Sequence, residues 1–171
     1  YLFPDTYEFY VGDEPKAVLE KFLKNFGVKY SGELEEAVEK TGRSLYELVT
    51  VASMVEREAK LDEERRVIAS VIYNRLESPR FPYLQIDATV AYILGRAPTD
   101  DDLDIDDPYN TYVYKGLPPG PIANPGLKSL LAAVDPANTR YYFYVARRDG
   151  SHIFSKTASE HAEAIREVTG G

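Results

Sequence analysis

The sequence predicts an α+β domain, a helical core with a small antiparallel sheet that includes a C-terminal hairpin. Three observations carry that expectation. Apolar residues recur at helical spacing from Pro15 to Phe26 and again from Asp62 to Glu77. The segment "VASMVEREAK", residues 51 to 60, reads as a mostly buried helix. Near the end, "RYYFYVARRDGSHIF" reads as two strands about Asp149-Gly150, a dipeptide suited to a hairpin turn.

The elements follow in order. Residues 1 to 12 alternate loosely between aromatic and polar positions and break at Pro4-Asp5 and Gly12-Asp13, which suggests short extended segments. Val18, Leu19, Phe22, Leu23 and Phe26 make the next segment an amphipathic helix, and residues 33 to 40 a short one ended by Thr41-Gly42. Ser44 with Glu47 forms a capping-box pattern at the start of the helix that holds the two glutamates Glu56 and Glu58. Asp62 is expected to cap a helix running to about Glu77 that buries Val67, Ile68, Val71, Ile72 and Leu76, with Pro79 and Pro82 stopping it. The tract from Arg96 to Pro125 is rich in Asp, Pro, Gly and Tyr and too long for a simple connector, as functional loops often are. Short helices over 126 to 133 and 157 to 168 flank the hairpin.

Length and composition bound the function. A chain of 171 residues with 44% hydrophobic and 28% charged residues supports one domain with a substantial core. The formal net charge of −8, with no basic run, argues against nucleic acid as a partner. The lack of cysteine removes disulfides, thiolate metal sites and a cysteine nucleophile, and leaves the compartment open. No apolar stretch reaches the roughly 18 residues of a membrane span, and no signal peptide heads the chain. The start, without initiator Met, reads as part of something longer. Fourteen Tyr against seven Phe and no Trp favours half-polar aromatic surfaces.

Candidate chemistry centres on Glu56 and Glu58. Two positions apart on a helix they point roughly 200° from one another, so they cannot share one metal on one face. Glu56 falls among Leu45, Leu48, Val49, Ala52, Val55 and Ala59, whereas Glu58 sits at the edge of the apolar arc. Desolvation of either raises its pKa toward the range of a useful acid, although a buried carboxylate satisfied by Arg65, Arg66 or Arg75 is the bland alternative. The helical wheel by itself favours Glu56. Elsewhere, "GLPPGP" puts prolines where a phosphate loop needs backbone donors, His152 and His161 lack zinc-motif spacing, and no serine sits in a nucleophile elbow. The aspartates between Asp100 and Asp107 read as a solvated acidic loop. Neither a metal nor another cofactor is implied.

Several stretches together resemble the endolytic murein transglycosylases of the YceG-like family. They are "FPDTYEF", "VASMVEREA" with "ERRVIASVIYNRL", "LQIDATVAYILG", "YNTYVYKGLPPGPIANPG", "SLLAAVDPANTRYYFYVA", "GSHIF" and "SEHAEAI", in this order along nearly the whole chain. The resemblance implies an enzyme that cuts peptidoglycan strands between N-acetylmuramic acid and N-acetylglucosamine. Its products end in 1,6-anhydro-muramyl residues, because the muramyl C6 hydroxyl and not water attacks the anomeric carbon. The second glutamate of the Glu-x-Glu motif, Glu58, is then the acid and base, overriding the wheel. The resemblance also implies a longer protein, with a membrane-anchoring helix and a LysM-like domain ahead of this region, seated in the cytoplasmic membrane with the catalytic part outside.

An intramolecular attacker removes the need for the second carboxyl of ordinary glycosidases, so a single glutamate with a raised pKa suffices. Gln85 and Asp87 in "LQIDAT", Tyr109, Asn110, Thr111 and Tyr112 in "YNTY", and Asn124 in the proline-rich "GLPPGPIANPG" are the expected substrate contacts, with Glu56 beside them. Asn74 and Arg75 read as structural. Two other functions stay open: a glycan-binding or scaffold module for peptidoglycan synthases, and a muramidase using water with Asp87 as its second carboxylate. The acidic net charge predicts glycan binding through sugar contacts more than bulk attraction.

Overall fold

The structure, a computed structural model, describes residues 1–170. In chain order it holds α1 (Pro15–Tyr30), α2 (Glu33–Thr41), α3 (Leu45–Glu58), α4 (Arg65–Leu76), α5 (Asp87–Leu94), α6 (Leu127–Val134), β1 (Phe143–Ala146), β2 (His152–Ser155) and α7 (Ala158–Thr169). The expected α+β class is the observed one. The two strands pair antiparallel, with Tyr144 opposite Phe154 and Val145 opposite Ile153. Asp149-Gly150 lies in their turn, where Gly150 takes the positive φ of 91° that a side chain resists.

Helix α3 is the axis of the fold. Every residue from Leu48 to Val55 is buried, including Thr50 and Ser53, whose hydroxyls return to the carbonyls of Tyr46 and Thr50. Helices α4, α5 and α6 pack around it, and the hairpin with α7 closes the end where α3 stops. With burial all round, the helix has no single apolar face by which a wheel could rank the two glutamates. Ser44 and Glu47 form the expected capping box.

Four local expectations differ from the structure. Helix α1 runs on to Tyr30, and of its five apolar positions only Phe26 is buried, Leu19 and Leu23 each being 49% exposed. Asp62 caps no helix; residues Asp62–Glu64 form a 3₁₀ turn and α4 begins at Arg65, because the Asp62 carboxylate is taken by Arg65 and Lys128. Val67 and Leu76 on α4 are half-buried while Ile68, Val71 and Ile72 are buried. Residues 1 to 12 form no strand and lay aromatic rings on α1, Tyr7 against Phe22 at 4.5 Å between centroids. Helix α5 had no expectation attached to it. Its first residue is Asp87, and it ends at Gly95 in the left-handed conformation.

The proline-rich tract is held by specific bonds. Asn110, 0% exposed, donates to the carbonyls of Leu103 and Ile105 at 3.0 and 2.8 Å and accepts from the Tyr112 N–H at 2.9 Å. Gly120 sits where a Cβ would strike the hydroxyls of Tyr46 and Tyr109. In the acidic stretch, Asp102 takes both guanidinium nitrogens of Arg96 at 2.7 and 2.9 Å. That pair holds its carboxyl well below the usual range.

Candidate active site

Glu58 is the last residue of α3, and its side chain enters a cavity of about 460 Å³ between the hairpin and the start of α5. From β1, the Tyr144 hydroxyl donates to Glu58 Oε2 at 3.0 Å. Burial pushes the Glu58 carboxyl above the ordinary glutamate range, and the charge of Asp87 adds to that. Tyr144, His152 and the Ala88 N–H act in the opposite sense without reversing it. Tyr144 is itself held well above the usual phenol value, first by burial and then by Glu58, so it stays a donor.

The opposite wall is built around Arg75. Only 6% exposed, it donates from Nε to the Tyr83 carbonyl at 2.7 Å, from Nη1 to the Tyr142 carbonyl at 3.0 Å, and from Nη2 to Gln85 Oε1. These bonds brace the wall from within, and the Arg75 side chain also lines the cavity. Gln85 has φ of 54°, the sole non-glycine in the left-handed region among the described residues. Such a conformation persists where the surroundings over-determine it, and here the Arg75 bond and the Gln85 N–H to the Thr111 carbonyl, at 3.1 Å, do so. Asp87, exposed at the N-terminus of α5, accepts the Tyr112 hydroxyl at 2.5 Å.

Of the expected substrate contacts, Gln85, Asp87 and Tyr112 come together with Glu58 in this cavity. Thr111 and Asn110 lie behind it: Thr111 is buried, with Oγ1 accepting from the Ile86 N–H at 3.0 Å. Tyr109 packs against Tyr92, and Asn124 lines a separate hollow with Tyr46 and Tyr92, where it accepts the Leu2 N–H at 3.1 Å. Glu56 lines neither cavity that Glu58 lines. Its Oε2 accepts from Ser129 Oγ at 2.6 Å, the Gly126 N–H at 3.2 Å and Arg65 at 3.4 Å. Those bonds tie α3 to the start of α6.

The hairpin side of the site was missed from the sequence. His152, 8% exposed, directs its N–H and Nδ1 to Glu64 at 2.9 and 2.6 Å, and its ring meets Tyr144 edge-on at 5.4 Å. His161 stacks on Phe143 at 5.1 Å, with burial lowering its pKa. The only available signal was that these residues fall in "YYFYVA", "GSHIF" and "SEHAEAI". Among the described residues no cluster of three or more His, Cys, Asp or Glu is placed to hold a metal ion.

A desolvated glutamate with one hydroxyl donor, in a cleft edged by tyrosines, is equipped to give up and take back a proton. The model of the YceG-like family matches residues 1–167. The chain belongs to the YceG-like family. A relative from Bacillus subtilis (strain 168), an endolytic murein transglycosylase, is 42% identical over 171 aligned residues, covering 96% of this chain and 46% of that protein. One of the same name from Streptococcus pneumoniae (strain ATCC BAA-255 / R6) is 29% identical, covering 98% of this chain and 31% of its own length. The crystal structure of a yceG-like protein from Listeria monocytogenes superposes with a TM-score of 0.88 at 38% identity, covering 95% of this chain and 54% of that one. The chain thus spans about half or less of the YceG-like proteins it matches.

Proposed function

We propose that this YceG-like chain cleaves peptidoglycan glycan strands as an endolytic lytic transglycosylase, with Glu58 as its acid and base. The observation that carries the reading is the desolvated Glu58 carboxyl, protonated over a wider pH range than an exposed one and open to a cavity lined by polar and aromatic groups. Protonated Glu58 gives its proton to the glycosidic oxygen as the bond to the muramyl anomeric carbon breaks. The muramyl C6 hydroxyl then attacks that carbon, and the Glu58 carboxylate takes the hydroxyl proton, returning to its starting form with a 1,6-anhydro ring on the product. The Asp87 carboxylate offsets positive charge developing at the sugar, the Gln85 amide offers donors to sugar oxygens, and the Tyr112 hydroxyl, whose proton goes to Asp87, offers an acceptor.

Asp87 also favours a second reading. Its carboxylate lines the same cavity and acts electrostatically on Glu58, so a water-using muramidase with Asp87 as the second carboxyl is chemically possible. Asp87 is engaged by the Tyr112 hydroxyl, which occupies one of its oxygens and favours the first reading. A glycan-binding or scaffold module for peptidoglycan synthases is the non-catalytic alternative. Among the described residues no helix is long and apolar enough to cross a membrane; a seat in the cytoplasmic membrane with the catalytic part outside is proposed from the family alone.

Mass spectrometry of fragments released from purified peptidoglycan decides among them, with Glu58→Gln run alongside. Anhydro-muramyl ends that vanish with Glu58→Gln support the transglycosylase. Reducing ends, heavier by one water, identify the muramidase, and no release with retained binding identifies the module.

A further inference from the structure

Glu58 does not end a pocket; it stands between two. Beyond the first cavity, Glu58 and Asp87 also line a second of about 620 Å³ that runs along α5 past Tyr92. Tyr92 and Ile122 in turn line a third hollow of about 420 Å³, which reaches Tyr46 and Asn124. The three hollows share lining residues end to end, so a groove running through them would hold Glu58 part-way along it. A pocket closed behind the glutamate would suit a chain end, whereas a groove open on both sides suits the interior of a polymer.

We propose that the α5 side of this groove is an extended saccharide subsite, with Tyr92 as the stacking platform for a sugar ring of the strand beyond the scissile bond. Tyr92 is 50% exposed, yet its ring rests on that of Tyr109 at 5.0 Å between centroids, so it is held from one side and open on the other. An aromatic face held in this way loses little freedom on binding and matches the apolar C–H face of a pyranose. Ala88 and Ala91, one turn before and beside Tyr92 on α5, leave the floor shallow enough for a ring to approach. Arg57 edges the same cavity with donors for hydroxyl and acetamido oxygens, while Arg96 beside it is tied to Asp102. Tyr46, 49% exposed with its hydroxyl donating to the Pro119 carbonyl at 3.1 Å, offers the next aromatic surface.

The inference rests on the glycan-cleaving reading above, and a binding experiment separates the two. Glu58→Gln protein, which cannot turn over, is titrated with β-1,4-linked N-acetylglucosamine oligomers from the disaccharide to the hexasaccharide and followed by amide-resolved NMR. Longer oligomers are expected to move the amides of Ala91, Tyr92 and Gly95, which the disaccharide leaves in place. Adding Tyr92→Ala weakens hexasaccharide binding by about threefold to tenfold, and Tyr92→Phe restores it. A hexasaccharide that shifts nothing on α5 beyond Asp87, binding equal in Tyr92→Ala, or no binding at all overturns the subsite. Strand cleavage by the unaltered protein alongside any of those results would leave the proposed function standing without it.

Discussion

The Tyr144 hydroxyl lies 3.0 Å from Glu58 Oε2, joining the middle of a hairpin strand to the last turn of the central helix. Burial alone would make Glu58 a weak acid that holds its proton tightly. A hydroxyl donor stabilises the carboxylate that forms as the proton leaves, so it strengthens most in the transition state.

Tyr144→Phe is therefore expected to lower kcat by about tenfold to a hundredfold, the worth of a hydrogen bond to a charged group, while KM stays within about twofold. Because the hydroxyl favours the charged form, its loss raises the Glu58 pKa further and moves the alkaline limb of the pH profile upward. Steady-state kinetics across pH would show it. An unchanged kcat and limb would make Tyr144 a packing residue.

Glu58 also links stability to pH. Its folded pKa is raised above the unfolded value, so its contribution to stability is fully present below the unfolded pKa and is lost as pH rises through the folded one. Glu58→Gln cannot ionise, so its Tm should depend less on pH across that window and exceed that of the unaltered protein above it. Its cleavage rate should drop by about 10²-fold or more. Calorimetry at several pH values tests the first part; equal pH slopes would refute it.

Glu56 should behave in the opposite way. Glu56→Ala removes the acceptor shared by Ser129, Gly126 and Arg65 and is expected to cost about 1–3 kcal/mol of stability. Cleavage per folded molecule and KM should stay within about twofold. A large rise in KM at full folding would instead return Glu56 to the substrate contacts expected of it.

Asn110→Ala is expected to destabilise by about 2 kcal/mol, since it removes the side-chain donor to the part-buried Leu103 and Ile105 carbonyls and the acceptor of the Tyr112 N–H. Because Tyr112 reaches Asp87 from the next turn of that loop, KM should rise as well. Thermal melts and kinetics run together would separate the two effects.

What could be read along the chain was what local chemistry decides. The Ser44–Glu47 box, the helical spacing of α3 and the hairpin at Asp149-Gly150 each depend on residues within a few positions of one another. Helix α5 escaped because "DATVAYIL" is apolar on most sides and carries no side-chain cap, so neither periodicity nor a start signal marks it. Asp62 misled because a carboxylate suited to a cap was drawn to Arg65 and Lys128 once α6 lay beside it.

By itself the sequence determined the fold class, the central helix and, through its ordered stretches, the family, and it singled out Glu58 as the proposed acid. Only the tertiary structure decided which of the candidates share the site. Glu58, Arg75, Asp87, Tyr112, Tyr144 and His152 meet through the closure of α3, α4, α5, the proline-rich tract and the hairpin on one another. Contacts between residues so far apart in the chain leave no periodic mark in it, and the same closure, by seating Glu56 against α6 and leaving Glu58 at the cleft, gave two nearby carboxylates different surroundings.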